Sequence, residues 1–202
     1  MERIPLKRIG VYGGGFDPVH IAHLILAQTA LESLSLDRVI FIPSGGVAHY
    51  KNESNVASGE DRLEMLRLAA ESNPRFEICS YEIEQGKFCY TIDTLRYLRD
   101  EVFPDAEINL LTGEDWKNRL KTWKDGDKLL QEFCVAIFSR PGFQKQNDGQ
   151  SSAEAERICH VDMPLIDISS SDIRERRRKG LSIEYMLPRA VYRYIEEKGL
   201  YL

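Results

Sequence analysis

Short apolar runs alternate along this chain with longer segments in which apolar residues recur every three or four positions. A short apolar run is typical of a buried strand, and the longer spacing is typical of an amphipathic helix. The pattern predicts five strands, at residues 8–12, 38–42, 76–80, 108–111 and 135–138. It predicts helices at residues 20–34, 60–71 and 91–102, and two more within 168–201, separated near Leu187 and Pro188. Strands that alternate with helices predict an α/β fold with a doubly wound parallel sheet, followed by C-terminal helices.

Length, charge and cysteine content limit the number of domains, the partners and the location that we expect for this protein. With 202 residues, we expect one domain over residues 1–202 with a helical C-terminal subregion over about residues 168–202. The formal net charge of −5 argues against broad nucleic-acid binding. The four cysteines form no CxxC pair, and no apolar run reaches the length of a signal core or a membrane span. We therefore expect a cytoplasmic protein with reduced thiols and no membrane partner. The sequence does not determine the oligomeric state, and a homo-oligomer is one of the possible states.

The first predicted strand leads into three glycines, Gly13, Gly14 and Gly15, and then into His20 and His23 at the start of a predicted helix. Glycines let backbone N–H groups approach phosphate oxygens closely, and a helix N-terminus adds unpaired donors. Two histidines three residues apart share one face of a helix and can reach the same ligand. The stretch is neither a dinucleotide-binding fingerprint nor a Walker A loop, because its glycine spacing and following residues fit neither. It favours nucleotidyl transfer over simple binding.

A second phosphate-binding candidate lies near the C-terminus, where Ser169, Ser170 and Ser171 precede Arg174. Serine hydroxyls cap helix N-termini, and the N–H groups of that first turn can hold phosphate. Arg174 lies one turn into the predicted helix, where its guanidinium could bind phosphate oxygens. The glycine turn and the segments at residues 43–51, 113–115 and 139–142 all follow predicted strands, so they should gather at the edge where parallel strands end.

Taken together, residues 13–23, 89–95, 140–143, 168–174 and 191–201 make the chain resemble the bacterial nicotinate mononucleotide adenylyltransferase family. This family belongs to the Rossmann-like nucleotidyltransferases that carry an HxGH motif. The resemblance covers nearly the whole chain, and the middle and C-terminal motifs make it specific. It implies transfer of AMP from ATP to nicotinate mononucleotide, which yields deamido-NAD and pyrophosphate in NAD biosynthesis.

The resemblance also implies roles for individual residues. It assigns catalysis to His20, His23 and Arg174. It assigns ATP binding to the glycine turn, the histidines and the serine segment: Gly14, Gly15, Phe16, His20, His23, Ser169, Ser170 and Arg174. It assigns mononucleotide binding to His49, Lys51, Thr91, Asp115 and Trp123. In this assignment, Trp123 stacks on the pyridine ring. Mg²⁺ would be bound with ATP, and no metal ligand of the protein itself is predicted.

The chain departs from the family pattern at a few positions. Gly15 stands where the family usually has Thr, Ala22 stands where it has Gly, and the segment at residues 47–51 replaces Pro-Pro-His-Lys. Two alternatives therefore stay open. One is a nucleotidyltransferase with another acceptor, either nicotinamide mononucleotide or phosphopantetheine. The other is a noncatalytic nucleotide-binding module.

Overall fold

The computed structural model describes residues 6–45, 56–139, 157–164 and 166–202, without the side chains of residues 115–118. Its centre is a six-stranded sheet in the order β3-β2-β1-β4-β5-β6. The strands are β1 (Arg8–Gly14), β2 (Arg38–Pro43), β3 (Phe76–Ile78), β4 (Glu107–Gly113), β5 (Cys134–Ser139) and β6 (Ile158–Asp162). The β1–β4, β4–β5 and β5–β6 pairs are parallel, with Val11 opposite Leu110 and Leu110 opposite Val135. The predicted α/β fold with a parallel sheet is confirmed.

Seven α-helices lie in the described part of the chain. They are α1 (Ile21–Ser33), α2 (Gly59–Ala70), α3 (Tyr81–Gln85), α4 (Thr91–Tyr97), α5 (Gly126–Glu132), α6 (Ser170–Arg178) and α7 (Arg189–Lys198). A π-helical turn, Leu98–Val102, continues α4, and 3-10 helices occupy Glu114–Thr122 and Glu184–Met186. Local chemistry sets several of these ends: the Ser58 hydroxyl caps α2 by accepting from the N–H of Asp61 at 3.0 Å, and α7 stops at Gly199 with φ 62°.

Two predictions about the elements were wrong in detail. The sheet has a sixth strand, β6, which the apolar pattern did not indicate because only Val161 of its five residues is buried, as suits a strand at the sheet edge. The predicted α-helix at residues 91–102 changes geometry after Tyr97, where the N–H of Phe103 bonds to the carbonyl of Leu98 at 2.8 Å, five residues back. The apolar residues Ile92, Leu95 and Leu98 lie before the π-helical turn or at its first residue, so their spacing could not predict the change.

The chain folds into two compact units, each built from separated segments. One unit contains the described residues within 1–13, 28–40 and 90–165, and its core lies along β4 and β5, where Leu110, Leu111, Val135 and Ile137 are buried. The other contains the described residues within 14–27, 41–89 and 166–202, with α2 and α7 among its elements. No helix among the described residues combines the length and the apolar character that a membrane span requires.

Candidate active site

The ends of neighbouring strands determine where the predicted motifs lie. β1 ends at Gly14, its parallel neighbour β4 ends at Gly113, and β5 ends at Ser139. Because these strands are parallel, their last residues mark the carboxyl edge of the sheet. Ligands of doubly wound sheets bind at this carboxyl edge.

The glycine turn is held in one conformation by its neighbours. A Cβ on Gly14 would lie 3.1 Å from Cζ of Phe16, so the turn leaves little room for a side chain there. Phe16 itself has φ 46°, a left-handed conformation that costs a residue other than glycine about 1–3 kcal/mol. Its ring is 2% exposed and packs edge-on against Phe41. Arg62 of α2 secures the turn by donating to the carbonyl oxygens of Gly15 at 2.9 Å and Ser44 at 2.8 Å.

His20 and His23 form a stacked pair at the start of α1. Their ring centroids lie 3.7 Å apart with the planes 22° from parallel, which confirms the predicted common face. The ring of Phe16 packs edge-on against His23, with the ring centroids 5.0 Å apart. The backbone N–H of His20 donates to Nδ1 of His23 at 3.2 Å. His20 is 4% exposed, and its Nδ1 has no hydrogen-bond partner among the described residues.

Burial keeps both histidines neutral. It lowers the pKa of His20 to about 4, and burial together with the neighbouring His20 holds the pKa of His23 well below its usual range. A neutral imidazole carries one donor nitrogen and one acceptor nitrogen. Since Nδ1 of His23 accepts a hydrogen bond, its Nε2 carries the proton.

The predicted serine cap of α6 is confirmed. Oγ of Ser169 accepts from the N–H of Asp172 at 3.1 Å, and Oγ of Ser170 donates to the carbonyl of Pro18 at 2.9 Å. The second bond ties α6 directly to the segment between the glycine turn and His20. The first turn of α6 and the start of α1 therefore belong to one cluster within the same unit.

Arg174 faces into the protein rather than towards solvent. It is 1% exposed, its Nη1 donates to the backbone carbonyl of Asp17 at 2.8 Å, and the same nitrogen lies 3.8 Å from the carboxylate of Asp17. The predicted contact of Arg174 with phosphate stays a prediction. Its position shows how it holds the backbone three residues before His20.

Three residues of this cluster received no role in the sequence analysis: Asp17, Arg62 and Tyr201. Asp17 is buried and accepts hydrogen bonds from the backbone N–H of Ala57 at 3.0 Å and from the hydroxyl of Tyr201 at 2.7 Å. Asp17 lies inside the glycine–histidine motif, and Arg62 is a charged residue on the otherwise apolar face of α2. Those two facts were the available signals, whereas Tyr201 was marked only as the last residue of the 191–201 motif that contributes to the family resemblance.

Three of the residues predicted to bind the mononucleotide lie in the other unit: Thr91, Asp115 and Trp123. Thr91 begins α4, Asp115 lies in the 3-10 helix that follows β4, and the partly exposed Trp123 ends that helix. Nζ of Lys124 donates to Asp93 at 2.9 Å and lies 4.4 Å from the centre of the Tyr90 ring. These contacts bring the segments that carry Thr91 and Trp123 together, and the binding roles themselves stay predictions.

His49 and Lys51, also predicted to bind the mononucleotide, lie outside the described residues, as does the 140–143 motif. Within the described ranges, no group of three or more His, Cys, Asp or Glu side chains is arranged to hold a metal ion.

The comparisons with known proteins place this parallel α/β sheet, with its glycine turn, histidine pair and serine-capped helix, in the nucleotidyltransferase class. The family model described as "Cytidylyltransferase-like" matches residues 11–176. A "probable nicotinate-nucleotide adenylyltransferase" of Moorella thermoacetica is 40% identical, with 96% of this chain and 91% of the relative covered. Another, from Halalkalibacterium halodurans, is 41% identical over 97% of this chain and 92% of the relative. The chain belongs to the cytidylyltransferase-like family and, within it, to the nicotinate-nucleotide adenylyltransferases, which confirms the resemblance predicted from its motifs.

A solved structure agrees with the fold. The nicotinic acid mononucleotide adenylyltransferase of Plasmodium falciparum, complexed with NaAD, superposes with a TM-score of 0.75 over 96% of this chain and 97% of that chain. The two sequences are 20% identical, so the likeness is one of fold.

Proposed function

We propose that this chain transfers AMP from ATP to nicotinate mononucleotide and releases deamido-NAD and pyrophosphate. The 5′-phosphate of the mononucleotide attacks the α-phosphorus of ATP, a new P–O bond forms, and the bond to pyrophosphate breaks in line with it. A phosphate monoester has its second pKa near about 6, so the nucleophile is already ionised at neutral pH. The protein therefore needs no general base, and its task is to position the substrates and to stabilise developing negative charge.

The observation that carries the proposal is the stacked, neutral His20–His23 pair beside the glycine turn, in which His20 is buried. Neutral imidazoles can donate hydrogen bonds to phosphate oxygens without protonation. Nε2 of His23 has the donor role because its Nδ1 already accepts from the backbone. Nδ1 of His20 has no partner in the described part of the chain, and a phosphate oxygen would satisfy it.

The remaining ATP contacts follow from the same cluster. We assign the phosphates to the backbone N–H groups of Gly14, Gly15 and Phe16 and to the first turn of α6, at Ser169 and Ser170. The buried Arg174 holds these two segments together, and we retain its predicted contribution to the β- and γ-phosphates as part of the proposal.

Mg²⁺ would enter as part of the ATP substrate. This fits the described residues, which offer no cluster of three metal-ligating side chains, and the Asp17 carboxylate is already bonded to Ala57 and Tyr201. Mg²⁺ on nucleotides keeps several waters and needs few protein ligands. When bound, it would neutralise charge on the phosphates.

We assign the mononucleotide to Thr91, Asp115 and Trp123, together with His49 and Lys51. The half-exposed indole of Trp123 offers a flat apolar face for the pyridine ring. The contact between Lys124 and Asp93 supports this assignment, since it fixes Trp123 near the start of α4.

Pyrophosphate release tests the proposal. ATP and Mg²⁺ are supplied with nicotinate mononucleotide, nicotinamide mononucleotide or phosphopantetheine in parallel reactions. We expect rapid release with nicotinate mononucleotide. Release with phosphopantetheine alone would indicate another acceptor, and no release with any of the three would indicate a noncatalytic module.

A further inference from the structure

The penultimate residue of the chain reaches into the cluster that carries the proposed ATP site. Tyr201 is 5% exposed, and its hydroxyl donates to Oδ1 of Asp17 at 2.7 Å. The two residues are 184 positions apart in the sequence. Burial, reinforced by the neighbouring Asp17, raises the pKa of Tyr201 far above its usual range, so the hydroxyl keeps its proton and remains a donor.

The backbone at the C-terminus is shaped to make this contact. Gly199 has φ 62° and ends α7, with its N–H bonded to the carbonyls of Glu196 and Ile195. Tyr201 then adopts φ 65°, a left-handed conformation that is unfavourable for a residue with a side chain. Such a conformation persists only where its surroundings compensate for it, and the buried bond to Asp17 is such a compensation.

Asp17 links this C-terminal contact to two groups assigned to ATP. Its backbone carbonyl accepts from Arg174 of α6 at 2.8 Å. The next carbonyl, that of Pro18, accepts from Ser170 at 2.9 Å, and His20 follows two residues later. Any shift of Asp17 therefore moves the start of α1 relative to the first turn of α6.

We propose that Tyr201 is a positioning residue for ATP, which acts through Asp17 to hold the histidine pair and the serine-capped turn of α6 at a fixed spacing. This inference rests on the proposed function. Tyr201 does not touch the substrate in this account, so its removal should weaken ATP binding without affecting the mononucleotide.

The test replaces Tyr201 with Phe, which removes the hydroxyl and keeps the ring. The matched control is Tyr194→Phe, because the hydroxyl of Tyr194 also donates to a carboxylate, Oδ1 of Asp61, at 2.8 Å in the same unit. We expect Tyr201→Phe to raise the KM for ATP by about tenfold, an effect within the range found for residues that modulate binding without contact to the ligand. The KM for nicotinate mononucleotide should change by less than about twofold, and Tyr194→Phe should leave both values near those of the wild type.

Turnover of the wild type is measured first. An inactive wild type would contradict the proposed function, on which the role of Tyr201 rests. With an active wild type, an unchanged KM for ATP in Tyr201→Phe would overturn the inference, as would an equal rise for both substrates. The Tm of both variants is measured by thermal unfolding. A lowered Tm of Tyr201→Phe with an unchanged KM for ATP would assign Tyr201 to stability alone and overturn the inference.

A double-mutant cycle with Asp17→Ala tests the route through Asp17. Once Asp17 is Ala, adding Tyr201→Phe should change the affinity for ATP little, because the partner of the hydroxyl is already gone. Additive effects of the two substitutions would overturn the inference. If the Asp17→Ala protein does not fold, the comparison of Tyr201→Phe with Tyr194→Phe still decides the question.

Discussion

The backbone N–H of His20 donates to Nδ1 of His23 at 3.2 Å, and this bond determines which nitrogen of His23 carries the proton. With Nδ1 occupied as an acceptor, the neutral ring carries its proton on Nε2. His20 stacks on His23, and the ring of Phe16 packs edge-on against His23. A short local motif thus prepares a neutral hydrogen-bond donor beside the proposed triphosphate site.

The first prediction concerns that donor. His23→Ala should lower turnover by about 10²–10³, the loss typical of one donor that stabilises charge in a transition state. His23→Gln should retain more activity, because its amide can place an N–H near the position of Nε2. Pyrophosphate release measures both, and circular dichroism checks that the variants are folded. Near-normal turnover in His23→Ala would contradict the role given to His23.

The second prediction concerns pH and stability. The folded state holds the pKa of His20 at about 4 and that of His23 below its usual range, whereas both are near about 6.5 in the unfolded chain. The unfolded state therefore binds more protons below about pH 6.5, and the free energy of unfolding should fall as the pH drops from about 6.5 towards 4. The slope can reach about 1.4 kcal/mol per pH unit for each histidine.

Urea unfolding at several pH values between about 7 and 5 measures this slope. The window lies above the ordinary carboxylate pKa values, which limits their contribution. His20→Gln should flatten the curve, because it removes a group that is neutral when folded and charged when unfolded. A slope that His20→Gln and His23→Gln leave unchanged would show that other groups cause it.

Local spacing predicted the parts of the site that lie close together in sequence. Two histidines three residues apart stack at the start of α1, and Ser169 caps α6 through Asp172, again three residues away. Helix geometry alone determines both relationships. The contact between Asp17 and Tyr201 joins positions 184 residues apart, and no local rule could predict it.

The sequence pattern also could not predict the direction in which a side chain points. Placing Arg174 one turn into α6 could not determine whether its guanidinium faces a ligand or the protein, and in the structure it lies on Asp17. Similarly, β6 is half exposed at the sheet edge and carries too few apolar residues to predict a strand. The buried strands β1, β2, β4 and β5 were predicted because sequence and burial agree along them.

The third prediction separates the structural and ligand-binding contributions of Arg174. Arg174→Met removes the guanidinium beside the buried carboxylate of Asp17 and should lower the free energy of unfolding by about 3–5 kcal/mol. Arg178→Met is the matched control, because Arg178 lies exposed on the same helix, and it should change stability by less than about 0.5 kcal/mol. Chemical denaturation compares the two. A fully stable Arg174→Met protein with a raised KM for ATP would instead indicate that Arg174 acts on the phosphates.

The fourth prediction concerns Trp123, which with Trp116 makes up the tryptophan content of the chain. If the pyridine ring stacks on Trp123, nicotinate mononucleotide should quench the intrinsic fluorescence on binding, since a stacked aromatic ligand contacts the indole face directly. Titration of the wild type should give a saturable decrease. Trp116→Phe should retain that decrease, and Trp123→Phe should abolish it. Trp123→Ala should raise the KM for the mononucleotide about tenfold and leave the KM for ATP unchanged, because stacking contributes about 1–3 kcal/mol by alanine substitution. Quenching that disappears in Trp116→Phe would transfer the stacking role to Trp116 and leave Trp123 as a residue that only supports the start of α4 through Lys124.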